Sequence, residues 1–367
     1  MRKAFPWHCT GFFLAWLAVN AFLGLCSCAA AADTAEDRGS ALRPLRSPFS
    51  TETFGEESSS GREGTVALSG SRLLALGPVE RMEVGGIVLT PGPNDRVAVS
   101  RKDWAWRSGP KRNPASTFTF DSGRSVYAVR FNHQYSDGTL GLCEPTRCNW
   151  YESGMLNVVL DGRPFSFSSD ESLTVRLDDG DRGVVCFTWD RPNARVTVRF
   201  VMLPGADALF CEIVLLPTEP LESLHLRLLN YPAGFNREPE HRVVTPERTI
   251  TGTGEQQLTP ESEWGLLYLD DALDCMGNSN GAGPCAVAWE IGPWCTGATV
   301  RLGSYGTRTQ LTCDPATRRI RLRFVEFPGK TNGNAAAAFG KSLPEIQPML
   351  ARDDLFAPLS AGKGGAP

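Results

Sequence analysis

Arg195-Val-Thr-Val-Arg-Phe-Val201 decides the fold. Val196, Val198 and Phe200 alternate with Arg195, Thr197 and Arg199, the period of two that sends successive side chains to opposite faces of a strand. The run from Arg319 to Phe327 repeats the device, with Arg319, Arg321 and Arg323 set between Ile320, Leu322 and Phe324. Each reads as a strand with one apolar and one solvated face, so its charges call for no partner. Working outward, further strands are expected at Val184 to Trp189, Ala208 to Leu215 and Leu221 to Leu229. A second set covers Trp264 to Asp270, Cys285 to Ile291, Thr299 to Gly303 and Thr307 to Cys313. Met155 to Leu160 and Arg163 to Phe167 flank Asp161-Gly162, a dipeptide that accepts the positive φ of a tight hairpin turn. The one helix expected is Asn334 to Lys341, around four alanines, placed where a chain leaving a sheet could cap its edge. The class is all-β: a large antiparallel β-sandwich over residues 65–350, or two smaller ones, with the large one favoured.

The amino terminus has the layout of a secretory signal peptide over residues 1–32: Arg2 and Lys3, an apolar run from Gly11 to Leu25, then Ala30-Ala31-Ala32 before Asp33. Leu25-Cys26-Ser27-Cys28 also resembles a lipobox, which would put a lipid anchor on Cys28. An uncleaved membrane anchor is the third option, since an apolar stretch of roughly 20 residues can span a bilayer. Either way the protein is expected to be exported, to the periplasm, the cell envelope or the medium. Residues 33–64 are rich in Ser, Glu, Gly and Arg and poor in apolar side chains, the composition of a disordered tether. Residues 351–367 are assigned to a disordered tail. The net charge is −4 and the basic residues are scattered among acids, which argues against nucleic acid as a partner.

Eleven cysteines, three of them in the leader at positions 9, 26 and 28, leave an even number in the mature part. Cys143 with Cys148, Cys275 with Cys285, and Cys295 with Cys313 are candidate disulfides; the last two stand equidistant from Ser304, so a hairpin turning there sets them opposite each other. Cys186 and Cys211 either pair or remain buried thiols. No CxxC knuckle suggests a zinc site, and no P-loop or Gly-x-Gly-x-x-Gly run implies a nucleotide cofactor.

A strand ending in Trp189-Asp190, the alternating Arg/Val strand, the turn Pro204-Gly-Ala-Asp207, another strand, then Leu221 to Leu229 running into Asn230-Tyr-Pro-Ala-Gly-Phe235 follow in succession. This order resembles the galactose-mutarotase-like supersandwich of aldose epimerases and of the β-domains of polysaccharide lyases. The resemblance implies a sugar as ligand and, for an active epimerase, histidine and glutamate as acid and base. It carries no residue assignment, because no motif of the family surrounds a histidine here.

Candidate ligand residues come from the chain itself. Trp104 and Trp106 share one face of a strand and could form a platform for a sugar ring. Trp150 and Tyr151 follow Cys148, and His133 lies in the polar run Asn132-His133-Gln134-Tyr135. His225 reads as structural and His241, beside Glu238 and Glu240, as a solvated loop residue. Gly277 to Gly281 matches a nucleophile elbow as a string but lacks the strand before and the helix after. Asp270, Asp271, Asp274 and Asn278, like Asp178 to Asp181, read as solvated acidic turns rather than calcium loops. Three functions follow in order: an exported carbohydrate-binding or carbohydrate-processing accessory protein, a non-catalytic structural or interaction module of the cell envelope, and an aldose epimerase-like enzyme.

Overall fold

The computed structural model describes residues 82–84, 87–89, 96–108, 111–133, 139–145, 150, 155–231, 241–270, 283–303 and 306–359. The leader, the tether and residues 360–367 lie outside them, as do the elbow-like string and the acidic run from Asp271. β1 (Met82–Val84) and β2 (Ile87–Leu89) pair with each other. β3 (Ala98–Ser108), β4 (Lys111–Asp121), β5 (Val126–Asn132) and β6 (Thr139–Glu144) form a four-stranded antiparallel meander. Next come β7 (Asn157–Leu160), β8 (Arg163–Pro164), β9 (Leu173–Asp178), β10 (Gly183–Asp190), β11 (Ala194–Met202), β12 (Ala208–Pro217) and β13 (Leu224–Asn230). β14 (His241–Val244), β15 (Thr249–Ile250), β16 (Gly254–Leu258) and β17 (Gly265–Asp270) follow. β18 (Cys285–Trp289), β19 (Cys295–Leu302), β20 (Thr307–Cys313) and β21 (Arg319–Glu326) precede helix α1 (Asn332–Leu350).

Two large antiparallel sheets result, one of nine strands in the order β15-β14-β17-β18-β21-β12-β11-β10-β9 and one of six in the order β16-β19-β20-β13-β7-β8. The protein is thus an all-β antiparallel sandwich. Val196, Val198 and Phe200 of β11, Leu226 and Leu228 of β13 and Phe118 and Phe131 of the meander all belong to one buried core. Burying such side chains stabilises the fold by about 1.5–3 kcal/mol each. The Asp161-Gly162 turn forms as expected: φ is +49° and +75°, Leu160 faces Arg163, and Asp161 Oδ1 accepts from the backbone N–H of Glu222 and Ser223 at 2.7 and 2.9 Å.

The face expected to be wet is exposed at Arg195 and Arg319 but covered over the rest of its length. Arg199, Arg321 and Arg323 are 8%, 2% and 9% exposed, because α1 and residues 351–359 lie over the outer face of the nine-stranded sheet. Phe339, Ile346 and Leu350 of α1, with Leu355 and Phe356, pack there on Leu267, Leu269, Ala286, Ala288 and Val325. The helix therefore covers a face rather than an edge, and it runs past Lys341 through Pro344 and Pro348. Proline removes intrahelical hydrogen bonds; the apolar contacts of Ile346 and Leu350 with the sheet offset that loss. Thr331 caps the start, its side chain accepting from Asn334 N–H.

Residues 351–359, expected as tail, are held by charge as well as by packing. Glu212 accepts from Arg199 Nη1 at 2.5 Å and from Arg321 Nε at 3.1 Å. The same guanidinium groups donate to the carbonyls of Phe356 and Leu350 at 2.6 and 3.0 Å, and Arg182 adds bonds to Leu355 and Ala357. No described helix is long and apolar enough to cross a membrane.

The cysteines divide by face. Cys295 is the register partner of Cys313, as their equal spacing about Ser304 predicts; both are buried and carry free thiols. Burial raises the pKa of Cys295 to about 11. Cys186 sits opposite Arg199, and Arg199 opposite Glu212, whereas Cys211 is next to Glu212 and turns into the core. Those two thiols stand on opposite faces of one sheet and do not meet. Cys285 is a buried free thiol, and burial, with the nearby Glu326 carboxylate, holds its pKa well above the usual thiol value. Cys275, Cys148 and the side chain of Cys143 lie outside the described residues.

Candidate functional site

The sequence-expected ligand residues do not gather in one place. On β3 and β4, Trp104 pairs with Ala115 and Asp103 with Ser116, so the two tryptophan positions and the acid belong to opposite faces. Trp104 is half-buried; its Nε1–H donates to Thr117 Oγ1 at 3.0 Å and the Arg130 guanidinium lies over its ring at 5.6 Å. The Trp106 side chain and Tyr151 are outside the described residues. His133 belongs to the other face, two positions beyond Phe131. Trp150 is 0% exposed, edge-on to Tyr268 and Phe324 at 5.6 and 5.1 Å, and so presents no surface to a ligand. His225 is half-buried on β13.

Around His133 the structure assembles a chain of polar groups from three neighbouring strands. Arg101 Nε donates to Asp103 Oδ1 at 2.9 Å, Ser116 Oγ donates to the same oxygen at 2.6 Å, and Ser116 Oγ lies 2.7 Å from His133 Nε2. The Phe131 ring, 4.6 Å away, steadies the imidazole. Burial pushes the His133 pKa below the ordinary histidine value; Asp103 partly opposes this and Arg101 adds to it. Burial alone would raise the Asp103 carboxyl, but the bonds from Arg101 and Ser116 outweigh it and the net shift is downward.

A second polar group lies inside the sandwich at its far end, and the sequence reading missed it. The Tyr268 hydroxyl meets Thr309 Oγ1 at 2.8 Å across the interior, which fixes how the two large sheets face each other. Two short links, Thr259–Trp264 before β17 and Glu290–Trp294 before β19, then place the end of β17 and the start of β18 above the start of β20. Two positions beyond Tyr268 and Thr309 on their strands come Asp270 and Thr307. His241 is the register partner of Asp270, and Asn230 that of Thr307. Four polar side chains thereby turn inward at one end, all buried.

Their hydrogen bonding is incomplete. His241 Nε2 stands 3.1 Å from Asp270 Oδ2, while His241 Nδ1, both amide atoms of Asn230 and the Thr307 hydroxyl have no partner. Each buried group left so costs about 1–3 kcal/mol, and native interiors avoid the condition. Asn332, at the start of α1, donates to the Asp270 carbonyl at 2.8 Å and ties the helix to this end. His241 is thus a strand residue facing the interior, where Glu238 and Glu240 had suggested a wet loop. Phase along β14 was the available signal: Val243, two positions on, is core. Among the described residues no three His, Cys, Asp or Glu side chains are placed to hold a metal ion.

No family model and no curated protein matches the chain. In fold it is similar to an α-N-acetylgalactosaminidase from Bifidobacterium bifidum, at 10% identity and TM-score 0.41, over 66% of this chain but only 39% of that one. It is similar also to a candidate aldose 1-epimerase from Klebsiella pneumoniae, at 10% identity and TM-score 0.41, over 68% of this chain and 96% of that one.

Proposed function

We propose that the protein is an exported carbohydrate-binding or carbohydrate-processing accessory protein whose ligand is held at the Asn230–Thr307 end of the sandwich. One observation carries the reading: donors and acceptors of Asn230, Thr307 and His241 are buried without partners beside the Asp270 carboxylate. A polyhydroxylated ligand offers both donors and acceptors at close spacing and completes such a set, as an apolar or purely anionic one does not. Export would also put Cys295 and Cys313 in an oxidising compartment, where register partners on adjacent strands close to a disulfide.

The test is a panel of mono- and oligosaccharides titrated calorimetrically into the purified mature protein. Saturable binding is expected, weakened roughly tenfold or more by Asn230→Ala, the loss of a buried hydrogen bond to ligand. Trp150, beside Tyr268 of the same core, supplies an independent fluorescence readout. A panel that leaves both heat and fluorescence unchanged overturns the carbohydrate reading.

A further inference from the structure

Ser116 has one hydroxyl proton, and its two short contacts compete for it. Asp103 is a carboxylate with a depressed pKa and can only accept. The 2.6 Å contact to Asp103 Oδ1 therefore uses the serine proton, and the 2.7 Å contact with His133 must run the other way, from Nε2–H to Oγ. A neutral imidazole carries one N–H. Nδ1 is then the nitrogen with a free lone pair; the ring is half-buried, and Nδ1 is not among the atoms buried without a partner.

We infer that Asp103, Ser116 and His133 form a general-base site in which His133 Nδ1 takes the proton of a hydroxyl-bearing ligand. In that step the ligand O–H bond breaks, its electron pair staying on the ligand oxygen, and the Nδ1 lone pair forms an Nδ1–H bond. The resulting imidazolium keeps donating Nε2–H to Ser116 Oγ, whose own O–H keeps donating to the Asp103 carboxylate, so the new positive charge faces a fixed negative one through a single hydroxyl. The order differs from that of a serine hydrolase, where histidine stands between serine and acid. Here serine stands between, and with Ser116 wholly buried it is a positioning residue and no nucleophile. Arg101 holds Asp103 from the solvent side.

The site is separate from the Asn230–Thr307 end. Tyr127, near the start of β5, accepts from Glu326 N–H at that end. Phe131, near the finish of β5, packs on Trp189 at the other, so the strand's length separates His133 from the inward polar group.

Two measurements on the full chain test the inference without a sugar. Long-range nitrogen–proton spectra of the imidazoles at neutral pH are expected to show His133 protonated at Nε2 only. Diethyl pyrocarbonate, which acylates unprotonated ring nitrogens, is expected to modify His133 before His225 and His241, read by peptide mass spectrometry. Ser116→Ala removes the link and should slow that acylation roughly tenfold. Asp103→Asn, at an exposed side chain where folding is not at stake, should slow it in the same direction. An Nδ1–H tautomer, or reactivity unchanged in the Asp103 variant, overturns the inference; the result is independent of whether any carbohydrate binds.

Discussion

Tyr268 and Thr309 join the two large sheets hydroxyl to hydroxyl, 2.8 Å apart in the middle of an apolar core. Burial drives the Tyr268 pKa far up, with the Thr309 bond partly opposing, so the phenol stays protonated and serves as a bridge. Removing either partner strands the other. Tyr268→Phe and Thr309→Val are each expected to cost about 1–3 kcal/mol in urea unfolding, and the double variant less than the two together. Strict additivity would mean that the bridge contributes nothing.

Glu212 is the hub for Arg199 and Arg321, and all three are buried. Deleting the acid takes from Arg199 its paired carboxylate and leaves Arg321 only the exposed Asp353, 2.6 Å from its Nη2, and Glu290 at 3.8 Å. Glu212→Ala is expected to destabilise by about 3–5 kcal/mol and to raise amide hydrogen exchange over residues 350–357, since both arginines also hold carbonyls there. Substituting Asp190, whose partner Arg195 is solvent-exposed, should change stability by less than about 1 kcal/mol.

Cys295 and Cys313 are expected to oxidise together in a glutathione redox buffer. Two thiols and one oxidised glutathione give one protein disulfide and two reduced glutathiones, so the intact mass falls by two hydrogens and two alkylation sites disappear after denaturation. Cys295→Ser should abolish the change. Retention of both alkylation sites under oxidising conditions would show that the strands hold the thiols apart.

The His133 network has a pH signature. Because its pKa is lowered on folding from the ordinary 6.5, the folded state disfavours the protonated ring. The stability it contributes is complete above that value and is lost as pH falls through the lower folded pKa. The urea midpoint of the native protein should drop between about pH 7.5 and pH 5, and drop less in His133→Gln. An equal drop in both would assign the effect to other groups.

Strand phase was legible wherever apolar and polar residues alternate. Val196, Val198 and Phe200 face the core as read, and Asp161-Gly162 turns as its residue types demand. The inference from an arginine row to water holds at Arg195 and Arg319 and fails in the middle of the sheet. Arg199, Arg321 and Arg323 look solvated one strand at a time; only a helix and a segment more than twenty residues beyond Arg323 supply their cover, and local alternation contains no trace of that. The four alanines mark the helix only as far as Lys341; its continuation through Pro344 and Pro348 rests on Ile346 and Leu350 packing on a sheet far off in sequence. His241 was judged from its neighbours Glu238 and Glu240 instead of from its phase with Val243. The Asp103–Ser116–His133 chain was only half visible: His133 was named, but its partners sit on two other strands, seventeen and thirty residues away, and only the pairing registers bring them together.

The place of β21 in the nine-stranded sheet sets the order in which the molecule can be completed. It lies between β12 and β18, so until the chain through Glu326 is free to fold, β12 and β18 are left as unpaired edges of two separate pieces. Such edges invite pairing with other chains. A nascent or truncated polypeptide lacking that strand is therefore a sticky species, and its need for a holding chaperone should end abruptly once the last strand and the helix behind it become available.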